Sequence, residues 1–184
     1  AMHNYHDVHS ILPPGYVDWR YRSNPLATVP DNVGHWAWSI YITPFMDQAG
    51  LFDELTPGPV SASLAISQHT DLMQAGYPAF RCPSDTGPQF HSSSTDPGYA
   101  ISNNQASAGG TNTGLGLTNY VASNNIANVR QGRASNGVGT SGAIGIFYRN
   151  SKTRFRDITD GTSTTMMVGE RAWKREGVRN SAGT

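Results

Sequence analysis

Apolar residues in this chain come in short clusters separated by long polar stretches. Met2, Tyr5 and His9 recur at three- to four-residue spacing, which predicts that residues 1–10 form the tail of a helix. Pro13-Pro14-Gly15 ends it, because consecutive prolines cannot continue a helix. Residues 16–35 read as loop carrying Tyr16, Trp19 and Tyr21. The stretch from Trp36 to Leu55 is the most apolar in the chain. There, Thr43 as cap and Pro44 in the first turn open a helix on which Phe45, Gln48, Ala49 and Phe52 share a face. Pro57-Gly58-Pro59 interrupts the pattern. Val60, Leu64, Gln68 and Leu72 then recur at helical spacing and predict a helix over about 61–75, stopped by Gly76 and Pro78.

The second half is poorer in apolar residues. Ala79 to Asp85 reads as an extended segment entering a Pro-Ser-Asp turn, and residues 86–117 as a long surface excursion with little to bury. Thr118–Ala122 reads as a strand, 123–142 as polar loop, and Ala143–Arg149 as the best strand of the chain. Ser151 to Asp160 predicts a short helix capped by Ser151 or Thr153, with Phe155 and Ile158 inward and Gly161 as the stop. Thr164–Glu170 is a further strand, expected to pair antiparallel with 143–149 beneath that helix. No internal repeat is present. The expected fold is α+β, one globular domain over residues 1–184 with an N-terminal helix end, a small antiparallel sheet and long polar loops.

Composition narrows the class. Only 14% of the 184 residues are charged, against about 25% in a typical soluble domain. Gly, Ser, Thr, Asn and Pro, at 20, 18, 16, 13 and 11, fill the difference. A coiled coil or helical bundle is excluded, since it needs Ala, Glu, Lys and Leu at helical period. The formal net charge of zero leaves no basic excess to neutralise phosphates, which argues against nucleic acid as a partner. Four Trp, eight Tyr and six Phe argue against wholesale disorder. No apolar run approaches the roughly 18–20 residues that span a bilayer. The opening Ala1-Met2-His3 has neither leader nor initiator, so a fragment of a longer chain is expected.

The zero net charge hides a split. Residues 1–100 carry three basic and nine acidic side chains, a net of −6, and residues 101–184 carry ten basic and four acidic, a net of +6. One reading is pairing inside a single domain. The other is a protomer with complementary faces suited to head-to-tail assembly.

Several groups invite a chemical reading. His3, His6 and His9 lie at helical spacing and suggest a metal pair, yet no HExxH or CxxC completes a zinc site, and a polar helix end explains them as well. Asp157 and Asp160, with Thr159, Thr162 and Ser163 around Gly161, are the calcium candidates. A capped helix end followed by a turn is the favoured alternative there, leaving no cofactor assigned. Cys82 is the single cysteine, so no disulfide forms within the chain, and no local pattern supports a thiol nucleophile. Trp19, Tyr21 and Trp36 are candidate interface or ligand aromatics, while Trp36, Trp38 and Tyr41 also suit a core. No Asn-x-Ser/Thr sequon occurs, and the Ser/Thr runs at 92–95 and 162–165 leave O-linked glycan open.

Read in order, several segments resemble one family. They are His3-Asn4-Tyr5-His6-Asp7 with Pro13-Pro14-Gly15, and Trp38 through Pro44-Phe45-Met46-Asp47-Gln48 to Leu51-Phe52. Phe80-Arg81-Cys82-Pro83-Ser84-Asp85, Thr118-Asn119-Tyr120-Val121 and Gly145-Ile146-Phe147-Tyr148-Arg149-Asn150-Ser151 follow. Arg156-Asp157-Ile158-Thr159-Asp160-Gly161-Thr162-Ser163 and Met167-Val168-Gly169-Glu170-Arg171 complete the set. It is similar to a large group of bacterial pseudopilin-like proteins of unknown function, sometimes labelled solute-binding. The resemblance implies a type IV prepilin-type cleavage and methylation sequence and a hydrophobic helix upstream of Ala1, and a closing His-Pro-Gly-Gly segment, none of them in this chain. It carries no catalytic residues. The resulting expectation is a non-enzymatic structural subunit, type II secretion-like, forming a homo-oligomeric filament at the cell surface or outside the cell. It would meet the membrane only through the missing helix. The alternative is an extracellular carbohydrate- or small-ligand-binding module.

Overall fold

The structure is a computed structural model and describes residues 1–17, 35–92, 100–102, 112–124, 145–175 and 178–179. The architecture is mixed α+β, with short helices and antiparallel two-stranded sheets. The chain divides into two compact units, and it passes repeatedly from one to the other.

Unit 1 comprises Ala1–Asp18, Trp36–Glu54 and Ala122–Gly169. Helix α1 (Met2–His9) ends as Ser10 turns left-handed at φ 58° and donates its N–H to the His6 carbonyl. Of Met2, Tyr5 and His9, expected along one side, Tyr5 is buried, Met2 half-buried and His9 exposed. Beyond it, Leu12, Pro13 and Pro14 are buried, and the prolines remove two donors that this buried strap would otherwise have to match. The remaining backbone groups are taken up on both sides. Leu12 N–H donates to the Thr153 carbonyl at 2.7 Å, Gly15 N–H to the Tyr148 carbonyl at 3.1 Å, and Trp38 N–H to the Gly15 carbonyl at 3.0 Å. A Cβ on Gly15 would stand 2.7 Å from the Phe147 carbonyl carbon, which is why this position needs glycine. Strand β1 (Tyr16–Val17) pairs antiparallel with β2 (Trp36–Ala37), and Tyr16 forms a parallel bridge to Arg149.

The helix expected from Thr43 and Pro44 starts earlier and is broken. Helix α2 (Trp38–Ile42) buries Trp38, Ile40 and Ile42, tightens into a 3-10 turn at Thr43–Met46, and α3 (Ala49–Leu55) follows. Thr43 does not cap a helix N-terminus. Its buried hydroxyl donates back to the Ile40 carbonyl at 2.7 Å, while Pro44 contributes no N–H and Asp47 turns left-handed at φ 58°.

Residues 143–149 are not the expected strand. Of them, 143 and 144 lie outside the described residues, Gly145 to Tyr148 join no ladder, and Arg149 makes the single bridge to Tyr16. Ile146 and Phe147 are both buried, so alternation is absent, and Phe147 packs 6.2 Å from the Trp38 ring. The expected helix at 151–160 reduces to a 3-10 turn at Phe155–Asp157. Its cap is Arg154, whose N–H donates to the Asp157 carboxylate at 2.9 Å. The Ser151 and Thr153 hydroxyls are committed elsewhere, to Gly15 N–H and the Ile146 carbonyl. Phe155 packs not on a sheet but on α1, its ring 4.8 Å from His3 and 4.4 Å from His6. Gly161, at φ 90°, takes the expected left-handed stop.

Unit 2 comprises Trp19–His35, Leu55–Val121 and Glu170–Thr184. Helix α4 (Ala62–Gln68) is capped by the Ser61 hydroxyl, which accepts from Leu64 N–H at 3.2 Å. That cap sets the phase, so Ala62, Ser63, Ala65 and Ile66 are buried, rather than the expected face of Val60, Leu64, Gln68 and Leu72. The helix also breaks at His69 before α5 (Thr70–Met73), where the Thr70 hydroxyl takes the Ile66 carbonyl. Strands β3 (Ala100–Ser102) and β4 (Asn112–Gly114) pair antiparallel, as do β7 (Lys174–Arg175) and β8 (Val178–Arg179). The segment 86–117 is less peripheral than expected, since His91 and Leu117 are fully buried, with Gly116 N–H held by the Met73 carbonyl at 2.7 Å.

Strand β5 (Tyr120–Ala122) shortens the expected 118–122, and β6 (Val168–Glu170) shortens 164–170. The partner of β6 is β5, not residues 143–149. Thr162–Thr164 form a turn instead, with the Thr164 hydroxyl donating to the Asp160 carbonyl at 2.6 Å.

Phe155→Ala removes a half-buried ring. Full burial would cost about 3–5 kcal/mol, so this change is expected to cost about 1.5–2.5 kcal/mol, read by urea denaturation. A loss under about 0.5 kcal/mol would show that the ring does not hold α1.

Candidate functional site

Asn119 is fully buried in unit 2, and all of its amide groups are bonded. Its amide oxygen accepts from Cys82 N–H at 2.9 Å. Its amide nitrogen donates to the Asp85 carboxylate and, at 3.0 Å, to the Arg171 carbonyl. Its backbone N–H donates to the Phe80 carbonyl at 2.9 Å, and its carbonyl accepts from Arg171 N–H at 2.7 Å. Three separate segments, Phe80–Asp85, Thr118–Tyr120 and Arg171–Trp173, therefore close on one amide. Thr118 adds a bond from its hydroxyl to the Phe80 carbonyl, and Trp173 N–H reaches the other Asp85 oxygen at 3.1 Å.

The loop after Asp85 is closed from the same side. Arg81 donates from both terminal nitrogens to the Pro88 and Gly87 carbonyls, each at 2.9 Å. Gly87 runs against Trp173, where a Cβ would lie 2.8 Å from the Trp173 Cβ and 2.9 Å from its Cγ. Trp173 is buried with Leu117 and stands 5.4 Å from the fully buried His91 ring. The sequence marks His91 by nothing, and Asn119 only as part of the Thr118-Asn119-Tyr120-Val121 segment and of a predicted strand, without any sign of a junction.

Cys82 enters this junction through its backbone. Its thiol is half-buried and lies 3.1 Å from the Ser84 hydroxyl. His3 and His6 face the Phe155 ring, and His9 lies 4.3 Å from the Tyr5 ring and 6.3 Å from Phe45. Among the described residues no three His, Cys, Asp or Glu side chains gather as a metal-ligand group. Of the calcium candidates, Asp157 caps the 3-10 turn, and Asp160 is exposed with its carbonyl bound to Thr164. Trp19 and Tyr21 lie outside the described residues, while Trp36 is buried beside Trp38 in sequence, each less than a tenth exposed.

The Tyr5 and Tyr41 phenols both sit in unit 1. Burial pushes the Tyr41 phenol up from its ordinary value of 10.0, and the nearby Tyr5 adds to the shift. Burial likewise raises Tyr5. The unfolded chain loses these protons near pH 10.0 and the folded chain only above it, so unfolding releases protons at alkaline pH. Stability is therefore full below about pH 10 and falls as pH rises beyond it. Tyr41→Phe is expected to flatten that fall, measured as urea midpoints from pH 8 to pH 11, and an unchanged slope would count against the assignment.

Asn119→Ala strands Cys82 N–H, the Asp85 carboxylate and the Arg171 carbonyl, and an unmatched buried group costs about 1–3 kcal/mol. A loss of about 3–5 kcal/mol is expected, enough to unfold a marginal domain. Cys82→Ser keeps every backbone bond and is expected to change stability by less than about 1 kcal/mol. Equal losses in the two variants, compared by thermal melting, would refute the amide as the junction.

The segments that meet in these contacts, Phe80–Asp85, Thr118–Tyr120 and Arg171, belong to the ordered set quoted from the sequence. No curated protein matches the sequence, and no solved structure does. A family model matches residues 1–183, and the chain belongs to that family, SBP_bac_10, described as a protein of unknown function (DUF1559).

Proposed function

We propose that this chain is the globular head of a pilin- or pseudopilin-like subunit that assembles with copies of itself into a filament outside the cytoplasmic membrane. It is a structural protein without catalysis of its own. In this reading α1 would continue a hydrophobic, prepilin-type helix that anchors the subunit. The observation that supports it most is where the signature residues direct their polar groups. Asn119, Arg81, Asp85, Ser151 and Gly15 bond to the protein's own backbone. A catalytic set instead holds a nucleophile, base and donors toward a reacting atom. The signature thus reads as a description of how the head is closed. The ring contacts clasping α1 between Phe155 and Phe45 suit a helix that transmits load to the head.

Antibody raised against this chain tests the reading. Immunogold electron microscopy of the native source is expected to decorate regular filaments. Label dispersed as single molecules over the envelope, with no filament, would overturn it.

A further inference from the structure

Residues 151–156 alternate inward and outward. Ser151 is buried with its hydroxyl accepting from Gly15 N–H at 3.2 Å. Thr153 is half-buried and donates to the Ile146 carbonyl at 3.0 Å, and Phe155 is half-buried against His3 and His6. Between them Lys152, Arg154 and Arg156 are exposed. The inward contacts of Ser151, Thr153 and Phe155 leave the three cations that alternate with them at the surface. Arg156 lies 3.9 Å from the Asp157 carboxylate, but the two side chains are 74% and 43% exposed, and such a pair contributes little. Among the described residues Lys152 and Arg154 make no ion pair.

The same unit carries a surface of opposite charge. Asp47, Ala49, Gly50, Asp53 and Glu54 are exposed around the start and outer face of α3. A Cβ on Gly50 would meet nothing within 4 Å, so no other part of the chain covers α3 at that position. Among the described residues Asp47 and Asp53 make no ion pair. The two surfaces flank α1. The Phe155 segment meets it at His3 and His6, and Phe45, two residues before Asp47, meets it at Tyr5 and His9. Those two pairs lie about a third of a turn apart around the helix.

We propose that the Lys152, Arg154 and Arg156 strip docks on the Asp47, Asp53 and Glu54 surface of a second copy of this chain. The inference rests on the assembly reading above and specifies the contact. Two different patches of one protomer meet, a heterologous contact, and such contacts propagate into open filaments when the rotation does not close. Exposed charge pairs add little affinity each and chiefly set register and partner choice. The contact therefore weakens with salt, as the Debye length falls from about 10 Å at 0.1 M to about 3 Å at 1 M.

The test uses two triple variants of the chain, one carrying Lys152→Glu, Arg154→Glu and Arg156→Glu, the other Asp47→Lys, Asp53→Lys and Glu54→Lys. Every substitution is at an exposed position, and circular dichroism checks that both fold. By analytical ultracentrifugation at low salt the unaltered chain is expected to self-associate, at least about tenfold more weakly at 1 M salt. Each variant alone is expected to stay monomeric, and their equimolar mixture to associate again. A chain that does not self-associate at low salt, variants that associate undiminished, or a mixture that fails to recover would each overturn the proposal. So would binding of the cationic strip to anionic phosphatidylglycerol vesicles without self-association, which would assign the strip to lipid. Native filaments that persist in both variants would keep the assembly reading and remove this contact. A rescued, salt-sensitive pair with no filament in the source would do the reverse.

Discussion

A buried primary amide with every donor and acceptor engaged is the constraint on which unit 2 depends. Asn119 has two amide hydrogens and one amide oxygen, and all three are bonded although the residue itself is fully buried. Moving any of the three segments it joins leaves a buried polar group unmatched, and that penalty exceeds the net gain of making one bond. Cys82, Asp85, Arg171 and Trp173 are consequently held in one arrangement although they are far apart in the chain. In a unit with short helices and two-stranded ladders, such a junction supplies the uniqueness that regular secondary structure supplies elsewhere.

Unit 1 reaches the same end by other means. A strap of Leu12, Pro13, Pro14 and Gly15 is buried with few backbone donors left to satisfy, and those it has are taken by Tyr148, Ser151 and Thr153. Helix α1 then rests on aromatic rings, Phe155 on one side and Phe45 on the other. These contacts hold a short helix that would not persist alone in water.

The charge split along the chain does not survive as a split in space. Asp7, Asp47, Asp53 and Glu54 come from the acidic half and Arg149, Lys152, Arg154 and Arg156 from the basic half, yet all belong to unit 1. The fold interleaves the two halves, because each unit is assembled from segments distant in sequence. Opposite charges therefore stand as local patches within one unit, not as one half of the chain against the other.

The amino-acid sequence by itself determined the composition class, the N-terminal helix with Tyr5 inward, the breaks at Pro13-Pro14-Gly15 and at Gly161, and the family to which residues 1–183 belong. These are local or cumulative signals: proline and glycine restrict the backbone wherever they stand, and an ordered series of motifs adds up along the chain. Tertiary structure decided the rest. Residues 145–149 have strand composition but no strand, because Ile146 and Phe147 are both drawn into the core, while Gly145 N–H donates to the Asn124 carbonyl and Phe147 N–H to the Ser123 carbonyl. Helix α4 took its phase from the Ser61 cap, not from the Val60–Leu72 spacing. Asn119 became a junction only when three segments met around it. Hydrogen-bond partners separated by tens of residues leave no trace in a linear pattern, since their pairing is chosen by packing after the local elements have formed.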